Sequence, residues 1–442
     1  LAYVGKPTFS YIDAGYDAFK TAQASRTPMV YVGANDGMLH GFRAGGYDTN
    51  GNFTTATTPN DGQEVLAYMP AAALNTIYNS TNANLDFSST SYAHNLFVDA
   101  TPGTGELYYG GAWHTWLVGG LGGGGNAGGI IGDNATAGTG AIYALDITNP
   151  ANFSEGNAGS LVVGEWSPSN LKCANYTPNT NCSAYLGNTY GTPVIRRLHN
   201  GNWAVLFGNG LNSPNGGAGL YVMLVASDGT TSFYYLDTGY GPSKDPLGKS
   251  NKNGIAYVTP ADLDGDHITD YVYAGDAFGN VWRFDTDNSD VTQWHGKLLA
   301  SLSNATGEKR KFLFAPAFVK QNTPFRFDAV YIGSGDREHP LPDQFAHRVF
   351  DLAPLTFVSN ALRKPIAQTQ PFIHRLEQHC AASELPCGWS NCATSRLSNN
   401  PSNKTLCRVL SSLTQRPSSL VFRSCRNGVL PCVGLLYNYF RE

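Results

Sequence analysis

Short apolar runs, rich in aromatic and β-branched residues and closed by glycine, recur along the chain, each leading through a polar turn into a second apolar run. Met29-Val30-Tyr31-Val32-Gly33 turns at Ala34-Asn35-Asp36-Gly37 into Met38-Leu39-His40-Gly41-Phe42. Trp116-Leu117-Val118-Gly119 is answered by Ala141-Ile142-Tyr143-Ala144-Leu145-Asp146, and Trp203-Ala204-Val205-Leu206-Phe207-Gly208 by Gly219-Leu220-Tyr221-Val222. The stretch 270–276 pairs in the same way with 280–285, and Val330-Tyr331-Ile332-Gly333-Ser334-Gly335-Asp336 opens a further copy. Runs this short, bounded by Gly, Asn and Asp, read as β-hairpins. A lone hairpin cannot bury its apolar face, and radial repetition is the usual remedy, so the pattern predicts an all-β protein with β-propeller architecture. The copies lie farther apart than the ~40–45 residues of a WD40 blade, which requires long loops or strands outside the pattern. A β-sandwich is the competing architecture.

Composition fits that picture. The 442 residues can bury a substantial core, and 50 Gly, 24 Tyr and 22 Phe against four Met suit β structure with many turns. Charged residues make up 14% and the net charge is −4, so no basic surface for nucleic acid or anionic membrane is expected. The longest apolar runs, such as Tyr221-Val222-Met223-Leu224-Val225-Ala226, fall short of the ~20 residues of a spanning helix, so no transmembrane segment is expected. Leu1 stands in what reads as folded sequence, without a basic-then-apolar leader, and the chain is expected to be a fragment or a processed form.

One stretch changes the chemical picture. Asp262-Leu263-Asp264-Gly265-Asp266-His267-Ile268-Thr269-Asp270 places carboxylates at positions 1, 3, 5 and 9, with the carbonyl of Ile268 at position 7. Without a cation these groups repel one another, and the spacing matches how a short loop wraps oxygen ligands around Ca²⁺. An all-oxygen set on a flexible loop suits a hard cation that tolerates six to eight ligands, whereas Mg²⁺ demands stricter octahedral geometry. This is not an EF-hand: His267 and Tyr273 stand where Gly and Glu belong, and the flanks 254–258 and 271–275 read as strands. Asp270 must then supply the closing contact. The alternative is an Asp-rich solvated turn.

Other motifs carry less. Gly119-Gly120-Leu121-Gly122-Gly123-Gly124-Gly125-Asn126 has no Gly-Lys-Ser/Thr after it and reads as a blade loop rather than a phosphate cradle. Asp285-Thr286-Asp287-Asn288-Ser289-Asp290 lacks the cation spacing and reads as a turn. His40, His94, His114 and His199 are scattered, without zinc spacing, and read as structural. Ser227-Asp228-Gly229-Thr230 lacks the Trp that a sialidase-type box requires. Cys173 and Cys182 bracket a polar loop that a disulfide could close, which implies an oxidising compartment; free thiols are the alternative.

The ordered set of motifs resembles the C-terminal propeller domain of the PilY/PilC proteins, large adhesins associated with type IV pili. The resemblance rests on 33–42, on Tyr143-Ala144-Leu145-Asp146-Ile147-Thr148, and on Gly191-Thr192-Pro193-Val194-Ile195 followed by 206–210. It is strongest across 262–285, where the acidic loop runs into Tyr273-Ala274-Gly275-Asp276 and Gly279-Asn280-Val281-Trp282-Arg283-Phe284-Asp285. Together these cover most of 1–340. The resemblance implies quinoprotein-like blades and a calcium-dependent, non-enzymatic part in pilus assembly, in opposing retraction, in twitching motility and in surface attachment. Its implied ligands are Asp262, Asp264, Asp266, the carbonyl of Ile268, and Asp270. Its implied partners are minor pilins or other pilus-tip components and a host or abiotic surface, and its implied setting is the pilus tip or outer-membrane surface of a Gram-negative bacterium.

The blade pattern stops after 335–340. From Val349 the chain is rich in Ser, Leu, Arg and Cys, with Cys380, Cys387, Cys392, Cys407, Cys425 and Cys432 all in the last 63 residues. The expected division is therefore a propeller over 1–345, incomplete at its C-terminal end, and an atypical tail over 346–442. A reading-frame change or recombination near 340–350 would produce such a tail; a disulfide-rich appended module is the alternative. A second function class also fits a calcium-bearing propeller, namely a quinone-dependent dehydrogenase. The adjacent Cys-Cys pair common in those enzymes is absent, and no candidate base stands out.

Overall fold

The computed structural model describes residues 1–48, 50, 52–54, 60–78, 83–92, 96–125, 140–176, 181–303, 310–321, 327–335, 349–352, 421–426 and 431–436. Leu1–Pro354 form one compact unit and Leu355–Glu442 a second.

The first unit is a succession of antiparallel sheets, each a blade. Blade 1 orders β1 (Ala2–Val4), β2 (Met29–Gly33), β3 (Leu39–Arg43) and β6 (Glu64–Tyr68), with a small ribbon of β4 (Gly46–Tyr47) and β5 (Phe53–Thr54) between the last two. Blade 2 runs β7 (Gly103–Tyr109), β8 (Ala112–Gly120), β9 (Ile142–Asp146) and β10 (Val162–Trp166). Blade 3 runs β11 (Val194–Leu198), β12 (Trp203–Gly208), β13 (Gly219–Val225) and β14 (Thr231–Asp237). Blade 4 comprises β15 (Ile255–Ala261), β17 (Tyr271–Asp276), β18 (Asn280–Asp285) and β19 (His295–Ser301). The two-residue strand β16 (Ile268–Thr269) leaves blade 4 and pairs parallel with β11 on the free edge of blade 3. A last sheet has three strands, β20 (Ala317–Gln321), β21 (Phe327–Gly333) and β22 (Val349–Leu352), where its predecessors have at least four. The second unit contains a hairpin of β23 (Val421–Arg426) and β24 (Pro431–Leu436). No helix among the described residues is long and apolar enough to cross a membrane.

The continuous apolar runs now have their reason. Successive side chains of a strand point to opposite faces, and in a stacked blade both faces are covered. On β12 and β13, Val205, Phe207, Tyr221 and Met223 pack toward Trp116, Val118 and Ile142 of blade 2, while Leu206, Leu220, Val222 and Leu224 pack toward Val258, Val272 and Trp282 of blade 4. Leu117, Tyr143 and Leu145 join Met29, Tyr31 and Leu39 between blades 1 and 2. Tyr273 and Val281 join Val330 and Ile332 between blade 4 and the last sheet. Successive sheets covering both faces of the middle strands make a propeller and exclude a two-sheet sandwich.

Glycine at the end of the second strand in blades 1, 2 and 3 allows these blades to meet the next one backbone to backbone. A Cβ on Gly33, Gly120 or Gly208 would lie 2.3, 2.5 or 2.2 Å from the carbonyl oxygen of Val98, Thr189 or Ile255, each in the segment that enters the next blade. Hydrogen bonds seal the same junctions: Val98 N to Ala34 O, Gly122 N to Thr189 O, Gly210 N to Ile255 O and Phe312 N to Asp276 O. Asp276 closes the corner of blade 4. Its fully buried carboxylate accepts from the amides of Phe278 and Asn280, the side-chain amides of Asn253 and Asn280, and the indole of Trp282. Burial pushes this carboxyl above the ordinary aspartate value while those donors pull it back.

Cys173 and Cys182 form a disulfide with Cα atoms 6.0 Å apart, both fully buried. Ala174 N donates to Phe233 O and Tyr221 Oη to Cys182 O, so the closed loop is fastened to β13 and β14. Within the Gly-rich run, Gly124 packs so closely on Phe97 that an added Cβ would lie 1.6 Å from its carbonyl oxygen, which makes the run a packing surface against the link from blade 1 to blade 2.

Candidate metal centre

The acidic loop leaves β15 at Ala261 and enters β17 at Tyr271, and its shape is set by its own side chains. Asp262 Oδ1 accepts from Gly265 N at 2.6 Å and Oδ2 from His267 N at 2.9 Å. Asp264 Oδ1 accepts from Asp266 N at 3.3 Å, and Asp266 Oδ1 from Ile268 N at 2.7 Å. These turns require left-handed backbone at Gly265 (φ +87) and at His267 (φ +66); glycine takes the first without a Cβ penalty. The His267 ring meets Tyr11 edge-on at 5.9 Å between centroids.

Asp270 is fixed from every side. Its backbone N donates to Ala261 O, and its carbonyl accepts from both the amide and the hydroxyl of Thr286. In the side chain, Oδ2 accepts from Leu263 N at 2.6 Å and Oδ1 faces His199 Nε2 at 2.8 Å. Lys320 Nζ caps the carbonyl of Leu263.

Among the described residues, Asp262, Asp264 and Asp270 bring one carboxylate oxygen each within 4.8 Å of one another. Asp266 is outside this group and exposed, its Oδ1 held by the Ile268 amide. Ile268 lies on β16, opposite Arg197 in the pairing with β11. Burial works against the charge of Asp262, yet the amides of Gly265, His267, Asp264 and Asp266 outweigh it and hold the carboxyl below the usual aspartate range. Three carboxylate oxygens thus converge at the junction of blades 3 and 4. Ca²⁺ ligands at 2.3–2.6 Å stand at most about 5 Å apart across the ion, so the 4.8 Å spread suits one such cation.

The remaining candidates fall to structural roles. Asp290 accepts from Thr292 N, and Asp228 from the amide and hydroxyl of Thr230. His40 sits between Asp36 and Glu64, and His114 donates toward Asp146 at 2.7 Å. His94 lies outside the described residues. Sequence reasoning set His199 aside as structural and did not single out Tyr11 or Lys320, since nothing near them in the chain marks contact with an acidic loop whose Asp270 lies 71 residues from His199.

Comparison with known proteins follows the same geography. The family described as "PilY1 beta-propeller domain" matches residues 1–301. The type IV pilus biogenesis factor PilY1 of Pseudomonas aeruginosa is 32% identical over 357 residues, covering 76% of this chain and 25% of that protein. A PilY1 homolog of Xylella fastidiosa is 31% identical over 282 residues, covering 63% of this chain and 16% of that protein. The chain thus spans about a quarter or less of the length of these relatives. The crystal structure of the P. aeruginosa PilY1 C-terminal domain superposes with a TM-score of 0.52 at 28% identity, covering 76% of this chain and 60% of that one. A family match over residues 1–301, two thirds of the sequence and ending with β19, leads to one conclusion: the chain belongs to the PilY1 beta-propeller domain family.

Proposed function

We propose that this chain is the calcium-binding propeller of a type IV pilus biogenesis factor. The relatives are named as biogenesis factors and not as enzymes, and the quinone-dependent dehydrogenase reading is set aside with them. The carrying observation is the convergence of Asp262, Asp264 and Asp270 within 4.8 Å. Those three residues would hold the ion, with Asp266 and the carbonyl of Ile268 as the loop's further oxygen donors. When bound, Ca²⁺ neutralises a self-repelling loop and so stabilises the folded state that presents it.

In this reading the propeller acts at the pilus tip or outer-membrane surface of a Gram-negative bacterium, against minor pilins or other tip components. Its calcium state governs pilus extension against retraction, and with it twitching and attachment to host or abiotic surfaces. The test replaces Asp262 and Asp264 by Asn in the full-length gene and scores sheared surface pili and twitching zones, with immunoblots of protein level. The expected result is loss of calcium-responsive piliation at normal protein abundance. Pili and twitching that respond to calcium as in the parent would overturn the proposal.

A further inference from the structure

We infer that His199 is a positioning residue for the cation, reaching from blade 3 to orient Asp270, so that ion binding clasps blade 3 to blade 4. This rests on the calcium reading above and extends it to a residue outside the loop.

His199 follows β11 directly and sits in the tight Asn200-Gly201 hairpin to β12, closed by Leu198 N to Asn202 O at 3.0 Å and by Gly201 N to Leu198 O at 3.0 Å. The two-residue parallel register Arg197↔Ile268 and Leu198↔Thr269 then carries His199 alongside Asp270. The result is the 2.8 Å contact from Nε2 to Oδ1, with the two side chains only 26% and 13% exposed. In the tautomer that carries its proton on Nε2, the imidazole donates to the carboxylate oxygen it faces. The Leu263 amide holds the other oxygen. Each carboxylate oxygen offers about two acceptor positions, so both remain able to face a cation while their direction is fixed. Donors that lock a ligand in this way typically govern metal affinity by 10–100-fold.

The clasp has a second strand. Asp13, on the segment before α1 (Tyr16–Ala22), pairs with Arg197, and Tyr11 of the same segment packs on His267 and on Trp203. The acidic loop is therefore braced from outside itself by His199, Tyr11, Thr286 and Lys320, none of which belongs to the ligand set.

Calorimetric titration of Ca²⁺ into the metal-stripped protein, compared for wild type, H199A and H199Q, tests the role. Amide hydrogen exchange of 195–199 with and without Ca²⁺ tests the clasp. The inference predicts 10–100-fold weaker binding for H199A, recovery to within about threefold of wild type for H199Q, whose side-chain amide restores a donor, and calcium-dependent protection of 195–199 in wild type. Unchanged affinity in H199A, failure of H199Q to recover, or no protection on blade 3 would overturn it while leaving the calcium reading standing. A wild type that takes up no Ca²⁺ would end both.

Discussion

Asp146 carries its charge at the end of β9, half buried between blades, and shows how single side chains set the conditions under which this propeller holds. Burial disfavours the anion, but His114, the Thr148 hydroxyl and the Thr148 amide outweigh it and keep the carboxyl below the ordinary aspartate range. A carboxyl depressed in the folded state contributes stability above its unfolded pKa of about 3.9 and loses it as the pH falls through the lower folded value. Asp146→Asn is therefore expected to be less stable than wild type at pH 6, with the gap closing below about pH 4; urea titrations across that range read it directly. The convergence of Asp262, Asp264 and Asp270 was legible in the sequence because their spacing is local and needs only nine consecutive residues. His199 was not legible, because its meeting with Asp270 is made by β16 pairing with β11, and nothing in a lone histidine reports a parallel bridge of two residues.

At the scale of elements, the second and third strands of each blade were readable, as was β15 beside the acidic loop, and the other outer strands were not. Both faces of β12, β13, β17 and β18 are covered by neighbouring blades, so those strands read as unbroken apolar runs. The outermost strand β19 alternates exposed and half-covered positions, and β6 is mostly half-exposed, so neither stands out from a polar loop. The copies looked too far apart for blades because long connections intervene, such as those between β3 and β6 and between β10 and β11. The repeated strand-end glycine, by contrast, was visible throughout, and its meaning is steric. Gly208→Ala places a methyl 2.2 Å from the Ile255 carbonyl, a backbone atom fixed by its bond to Gly210. The blade 3–blade 4 junction must shift, and a loss of about 3 kcal/mol is expected in equilibrium unfolding; a variant as stable as wild type would show that the junction yields freely.

For the molecule as a whole, stability is distributed along a chain of junctions, with the disulfide as a covalent fastening on blade 3. Closing a loop of sequence separation nine contributes about 2.5 kcal/mol through the unfolded chain. Cys173→Ser with Cys182→Ser should lower unfolding free energy by that order, and the same loss should appear when wild type is unfolded under reducing conditions. The cation would add a second fastening between blades 3 and 4, worth about 2.7 kcal/mol when Ca²⁺ stands at a hundred times its dissociation constant. Calorimetric titration of Ca²⁺ into the stripped protein, side by side with Asp262→Ala, measures this most directly. The account predicts one ion per chain for wild type and no measurable uptake by the variant; equal binding by both would contradict it.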